Sequence, residues 1–222
     1  MLLVAACLAA LWSGKVPARF SPLAPLNLAD KDPWFLDFRL AALNDDAPLC
    51  AAVMTPPLVA AAAVPDKPVV AGCGWTSAVR LDRAAGVHVG AATLNCSQAA
   101  ALTLWLLHSV QPAAEELLGA RVTGLQNMGT YACRNIVGSQ KLKAFRSQHA
   151  RANAIDVSAF VLEDGRTVSV SKHWRASGPE GVFLHRVHDA SCGYFRVSLG
   201  PDFNSAHSNH FHLDRGLFKS CR

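Results

Sequence analysis

The chain has 222 residues, 51% of them hydrophobic and 17% charged, with a formal net charge of +5. This composition fits a folded chain with one well-filled core and excludes an intrinsically disordered protein or a pair of large domains. Lys and Arg are scattered with no run of four or more, which argues against nucleic acid as a partner and leaves only a mild preference for anionic surroundings.

Residues 1–12 (MLLVAACLAALW) are apolar throughout. A bilayer span needs about 20 such residues, so this run reads as a signal sequence or an N-terminal anchor that would attach the protein to a membrane. Val4-Ala5-Ala6-Cys7 loosely resembles a lipoprotein box. Residues 13–33 are rich in proline, which removes backbone donors and disfavours helix at the preceding position, so they read as an extended linker. The domain is expected over 34–222.

Within it, residues 37–43 form a short helix or strand ahead of a turn at Asn44-Asp45-Asp46, and 56–70 show no usable period. Residues 75–83 and 87–94 have β-branched content and read as strands or loop edges. Gln98 to Val110 has Leu102, Trp105 and Leu106 on one helical face, with Ser97 as the expected N-cap. Pro112 restarts a second segment, 113–118, closed by Gly119. After a strand at 122–126, the segments 155–162 and 166–170 are joined by Asp164-Gly165 and predict a hairpin. Ser177-Gly178-Pro179-Glu180 has capping-box spacing and opens a helix through Val187, on which His185 and His188 share a face. Residues 194–199 alternate as a strand, 200–208 form a loop, and 210–214 form the last strand. The fold class expected is α+β, an antiparallel sheet with helices packed on one side.

Seven cysteines are present, Cys7 in the apolar leader and six in the body at 50, 73, 96, 133, 192 and 221, with no C-x-x-C pair. An even, scattered set predicts three disulfides in an oxidising compartment, hence a disulfide-stabilised domain. Six cysteines allow fifteen connectivities, and sequence does not choose among them.

The chemistry-bearing residues fall in two stretches, residues 147–156 and 209–214. Successive strand residues point to opposite faces, so His210, His212 and Asp214 share one face and Phe211 and Leu213 the other. The same alternation sets Ala154, Asp156 and Ser158 against Ile155 and Val157. A carboxylate projecting from an apolar strand needs a cationic partner. Catalytic zinc commonly takes three protein ligands and leaves one position for water. His149, Asp156 and His212 meet that demand, His210 is the candidate catalytic base, and Asp214 is the candidate carboxylate orienting a ligand.

Ser147-x-His149-x-x-x-x-Ala154-x-Asp156 followed by His210-x-His212 resembles the zinc site of the D-Ala-D-Ala carboxypeptidase, lysostaphin and hedgehog superfamily. With Gly129-Thr130-Tyr131-Ala132-Cys133-Arg134, these motifs look like the bacterial extensin-like C-terminal domain family, related to those peptidases. The resemblance implies a hedgehog/D-Ala-D-Ala-peptidase-like fold, zinc on His149, Asp156 and His212, and a peptidase acting on peptidoglycan stem peptides or cross-links, with peptidoglycan or wall peptides as its partners, in the periplasm or another extracytoplasmic space. It also implies that Arg134 and Tyr131 bind substrate and that Ser147, like Asp214, supports the zinc ligands from behind. Two positions depart from the carboxypeptidase pattern: Ala152 stands where Gly is usual, and Asn209 stands where a Glu serves as base. A cell-wall-binding or envelope-integrity domain without catalysis, with or without the metal, is the alternative reading.

Overall fold

The computed structural model describes residues 9–10, 12–13, 16–22, 24–31 and 33–222. Most of the apolar leader read as a signal or anchor therefore lies outside the described residues. Among the described residues, no helix is long and apolar enough to cross a membrane. In the Pro-rich stretch, Leu26 and Leu28 are buried with the main core, and the Leu28 carbonyl is bonded by the His108 ring at 2.9 Å.

Two short helices, α1 (Leu36–Ala41) and α2 (Ala47–Val53), lead into the sheet; Asp46 caps α2 by accepting the Leu49 N–H. The strands are β1 (Val59–Ala63), β2 (Lys67–Val70), β3 (Cys73–Trp75), β4 (Ala78–Ala84), β5 (Val87–Asn95), β6 (Val122–Gly129), β7 (Ala154–Leu162), β8 (Thr167–Ser169), β9 (Val197–Leu199), β10 (Phe211–Asp214) and β11 (Ser220–Cys221). The main sheet runs β1-β4-β5-β6-β7-β10-β9-β11 with β8 paired to β7, while β2 and β3 form a separate hairpin. The sheet is mixed, which corrects the antiparallel expectation: β5 pairs β6 in parallel, and β11 pairs β9 in parallel. The helical crossover between β5 and β6 is long enough to return the chain in the same direction, as a parallel pair requires.

That crossover consists of α3 (Cys96–Trp105), a π-helical turn (Leu106–Val110) and α4 (Gln111–Leu118). Asn95, not Ser97, caps α3; its side chain accepts the Gln98 N–H. Gly119 ends α4 at φ +66°, a left-handed position where glycine has no Cβ penalty. All ten residues of α3 are buried, so the single apolar face read from Leu102 and Trp105 is part of a helix buried all round.

The hairpin of β7 and β8 forms as expected, followed by α5 (Val170–His173) and α6 (Pro179–Ser191). The capping box at Ser177 does not form. Gly178 is the N-cap without a side-chain bond, and Pro179 occupies the first turn. The core centres on Phe160, whose ring meets Trp105 at 5.9 Å, Phe183 at 5.2 Å and Phe211 at 6.5 Å. Each fully buried aromatic of this kind contributes roughly 1.5–3 kcal/mol of transfer free energy.

Three disulfides join Cys50 to Cys96, Cys73 to Cys133 and Cys192 to Cys221, with Cα separations of 5.9, 5.5 and 5.8 Å. These lie within the ordinary range for the bond.

Candidate metal centre

Strands β7 and β10 build the centre between them. They pair antiparallel with His212 opposite Asp156, Phe211 opposite Val157 and Leu213 opposite Ile155. Phe211, Leu213, Ile155 and Val157 are fully buried, so packing on one face fixes His212, Asp156 and Asp214 on the other. Alternation along β7 holds only up to Ser158. There the register with β6 slips, because Asn127 faces Val157 while Gln126 faces Ala159. The extra residue switches parity, which lets Phe160 join Val157 on the helix-facing side. Ser158 is turned away to donate to the Gln126 carbonyl at 3.0 Å.

His149 arrives on a 3-10 turn, Gln148–Arg151. Ser147 caps this turn by accepting the His149 N–H, and Ala152 ends it at φ 50°. That left-handed conformation favours glycine, and Ala152 holds it while fully buried. A chain of side-chain amides braces the turn from behind. Asn95 Nδ2 donates to Asn153 Oδ1 at 2.9 Å, and Asn153 Nδ2 donates to Gln148 Oε1 at 2.7 Å.

The ligand-type atoms converge. His149 Nε2 lies 3.2 Å from Asp156 Oδ1 and 3.3 Å from His212 Nδ1, and the latter is 2.9 Å from Asp156 Oδ1. Four-coordinate zinc with bonds of about 2.0–2.1 Å separates its ligands by about 3.3–3.4 Å, so this triangle has the size of one face of such a site. Among the described residues it is the one such group of three that could hold a metal ion. Behind it, His212 Nε2 lies 2.9 Å from Asp214 Oδ2, the arrangement in which a carboxylate fixes the orientation of a ligating imidazole.

Charge explains the protonation in the metal-free protein. Burial alone would lower the basicity of His212, but hydrogen bonds to Asp156 and Asp214, reinforced by their charges, prevail and raise its pKa to about 9. Burial opposes ionisation of Asp156, yet its bonds to His149 and His212 hold its carboxyl far below the usual carboxylate range. His210 Nε2 stands 3.6 Å from Asp156 Oδ1, while its Nδ1–H donates to Asn209 Oδ1 at 2.8 Å. Burial lowers its pKa, the charge on Asp156 opposes that, and His212 and His149 lower it further.

His207 also belongs to the cluster and is not among the residues singled out from sequence. Its ring centroid is 5.3 Å from that of His210 and 5.8 Å from that of His212, and its Nδ1 bonds Asn204 Oδ1 at 2.7 Å. Burial, with His212 and His210 nearby, lowers its pKa to about 4. The spacing His207-x-x-His210-x-His212 is the sequence signal that finds it.

The Tyr131–Arg134 segment flanks the His149 turn through the backbone. The Ala132 N–H donates to the His149 carbonyl at 3.2 Å, and the Ser147 N–H donates to the Arg134 carbonyl at 3.1 Å. Arg134 also exerts its charge on His207 and His210. The Tyr131 ring instead meets Trp75 edge-on at 4.9 Å with the Lys67 ammonium 4.4 Å above it. His185 and His188 lie apart from the centre, against Trp174, with ring centroids 3.8 and 5.5 Å from it.

Fold and site together define a disulfide-tied α+β domain carrying a buried cluster of histidines and carboxylates. The model of the family described as "Extensin-like protein C-terminus" matches residues 48–222, and the chain belongs to that family. No curated protein and no solved structure matches the chain.

Proposed function

We propose that the domain is a zinc-dependent peptidase acting on peptidoglycan stem peptides or cross-links in the cell envelope. One observation carries the reading: the 2.9–3.3 Å triangle of His149 Nε2, Asp156 Oδ1 and His212 Nδ1, with Asp214 placed behind His212. The donor set fits zinc, since two imidazoles and a carboxylate are its usual partners and two buried carboxylates favour a dication. Zinc held there would supply Lewis acidity toward an amide carbonyl.

The chain's own residues would do the rest. Asn209 accepts the Nδ1 proton of His210, which leaves Nε2 with its lone pair directed at the site. That nitrogen would take a proton from the attacking water and deliver it to the leaving amine. Arg134, whose backbone borders the His149 turn and whose charge is felt by His207 and His210, would pair with a substrate carboxylate. Three disulfides fit the oxidising space in which that substrate lies.

Asn209 in place of the carboxypeptidase Glu favours a second reading, a zinc-binding wall domain that does not turn over. Both readings require stoichiometric zinc in the purified protein, lost in His149→Ala and His212→Ala. Product analysis by mass on defined muropeptides separates them. The peptidase reading expects cleavage that disappears in His210→Ala with zinc retained, and zinc-loaded protein that cleaves no muropeptide refutes it.

A further inference from the structure

Away from the centre, large apolar side chains stand in solvent on two segments far apart in sequence: Trp34 at 59% exposure, Phe35 at 52% and Phe38 at 60%, and then Leu217 at 88% and Phe218 at 67%. Asp37, between Phe35 and Phe38, holds the two segments on one side of the molecule. Its carboxylate accepts from Arg215 Nη2 at 2.8 Å and lies 3.5 Å from Arg196 Nη1, and Arg196 Nη2 donates to the Leu217 carbonyl at 3.1 Å. The incoming chain reaches the same place. Phe20 packs edge-on against Trp34 at 5.0 Å, and the Trp34 N–H donates to the Arg19 carbonyl at 3.0 Å.

We infer that these side chains form a foot that docks the domain on a lipid bilayer surface bearing anionic headgroups. Soluble surfaces seldom leave several large apolar side chains together in water without a partner. Here the partner's chemistry is indicated by what rims them. Arg19, 4.3 Å over the Phe20 ring, and Lys219, beside the Leu217-Phe218 tip, are exposed cations. Aromatic and aliphatic side chains that enter the interface, with cations at headgroup level, make the usual interfacial pattern. A second copy of the chain fits less well, because self-complementary pairing would bring the same cations together. The apolar run at residues 1–12 precedes Arg19 and Phe20 in sequence, so a chain attached to a membrane by that run would have this face close to it. The inference does not depend on the metal reading.

The test is sedimentation of the full chain with vesicles of phosphatidylethanolamine and phosphatidylglycerol, and with phosphatidylcholine alone. Binding to the anionic vesicles, weakened by salt, is expected. Leu217→Ser with Phe218→Ser should lower the partition about tenfold while keeping the parent's thermal midpoint. Phe38→Ser, on the other segment, should lower it too, and Lys219→Glu should weaken binding to anionic vesicles selectively. If the double variant does not fold, these two single variants decide. Equal partition of the parent and all variants would assign binding to the N-terminal run alone and overturn the foot. A dimer dissociated by the same substitutions, without vesicle binding, would overturn it as well.

Discussion

Asp214→Asn removes the charge behind a proposed ligand while leaving the shape of the site. Asp214 is 5% exposed; Oδ2 faces His212 Nε2 at 2.9 Å, and Oδ1 accepts the Gly216 N–H at 2.7 Å. Asparagine is nearly isosteric and can keep the Gly216 bond, so the fold should survive. Loss of a carboxylate that orients a ligating histidine typically lowers metal affinity 10–100-fold, about 1.4–2.7 kcal/mol. The loss should depend on pH. In the metal-free parent His212 stays protonated up to about 9, so at pH 7 a proton would compete with zinc and lower the apparent affinity by up to about a hundredfold. In the variant His212 is less basic and that competition would be weaker, which returns part of the loss at pH 7 and at most about twofold at pH 9. Competition against a chromophoric chelator should therefore show a larger deficit at pH 9. In weak buffer at pH 7 the parent should release about one proton per zinc. Equal affinities of parent and variant at both pH values, or a deficit larger at pH 7, would refute this account of His212.

Cys50→Ala with Cys96→Ala opens a loop with a sequence separation of 46 and should cost about 4 kcal/mol in denaturant unfolding, and peptide mapping of the parent should recover all three cross-links. Ser147→Ala removes the cap on the His149 turn and should cost about 1 kcal/mol of stability, with zinc affinity lowered in the same protein. His188 is 4% exposed, its Nε2 has no hydrogen-bond partner among the described residues, and burial lowers its pKa below 6.5. Its neutral form therefore contributes fully above pH 6.5 and the contribution is lost as pH falls, because the unfolded chain binds the proton first; chelated parent should lose more stability between pH 7 and 5 than His188→Leu does. Asn209→Ala frees the His210 tautomer and should lower kcat on muropeptides with zinc content unchanged, whereas loss of zinc would show that Asn209 supports the ligands instead.

Sequence shows the parts of this protein that local rules control. Alternation across 210–214 and 154–157 is governed by a period of two with a buried apolar face, so which side chains share the site's face could be read without coordinates. The α4 terminus at Gly119 and the hairpin turn at Asp164-Gly165 follow from backbone permissiveness. What was hidden depends on distant pairing. The parallel contact of β5 with β6 comes from a crossover helix buried on every side, whose sequence shows no polar stripe. The extra residue at Ser158 is invisible because the local pattern around it stays apolar. Asn95 won the cap from Ser97 because its side chain also reaches Asn153, 58 residues away. His207 is hidden for a similar reason: a 3-10 turn brings it beside His210, whereas strand parity says nothing about a loop.

The placement of the cross-links bears on how a site so rich in buried charge is tolerated. Cys73–Cys133 fixes the β2–β3 hairpin to the Tyr131–Arg134 segment, whose backbone is bonded to the His149 turn, and Arg146 fastens that hairpin again by donating to the Ala71 carbonyl at 2.8 Å. Cys192–Cys221 joins the end of α6 to β11, which pairs β9, the neighbour of β10. Two of the three disulfides thus brace the elements that carry His149 and His212, and the fully buried Phe211 and Leu213 anchor β10 from its other face. Desolvated histidines and carboxylates drift apart or take up water unless their backbones are held, because each uncompensated buried charge costs several kcal/mol. A rigid cradle removes that freedom. The histidines and carboxylates are consequently gathered by folding and oxidation, so a metal ion bound there would not have to assemble them.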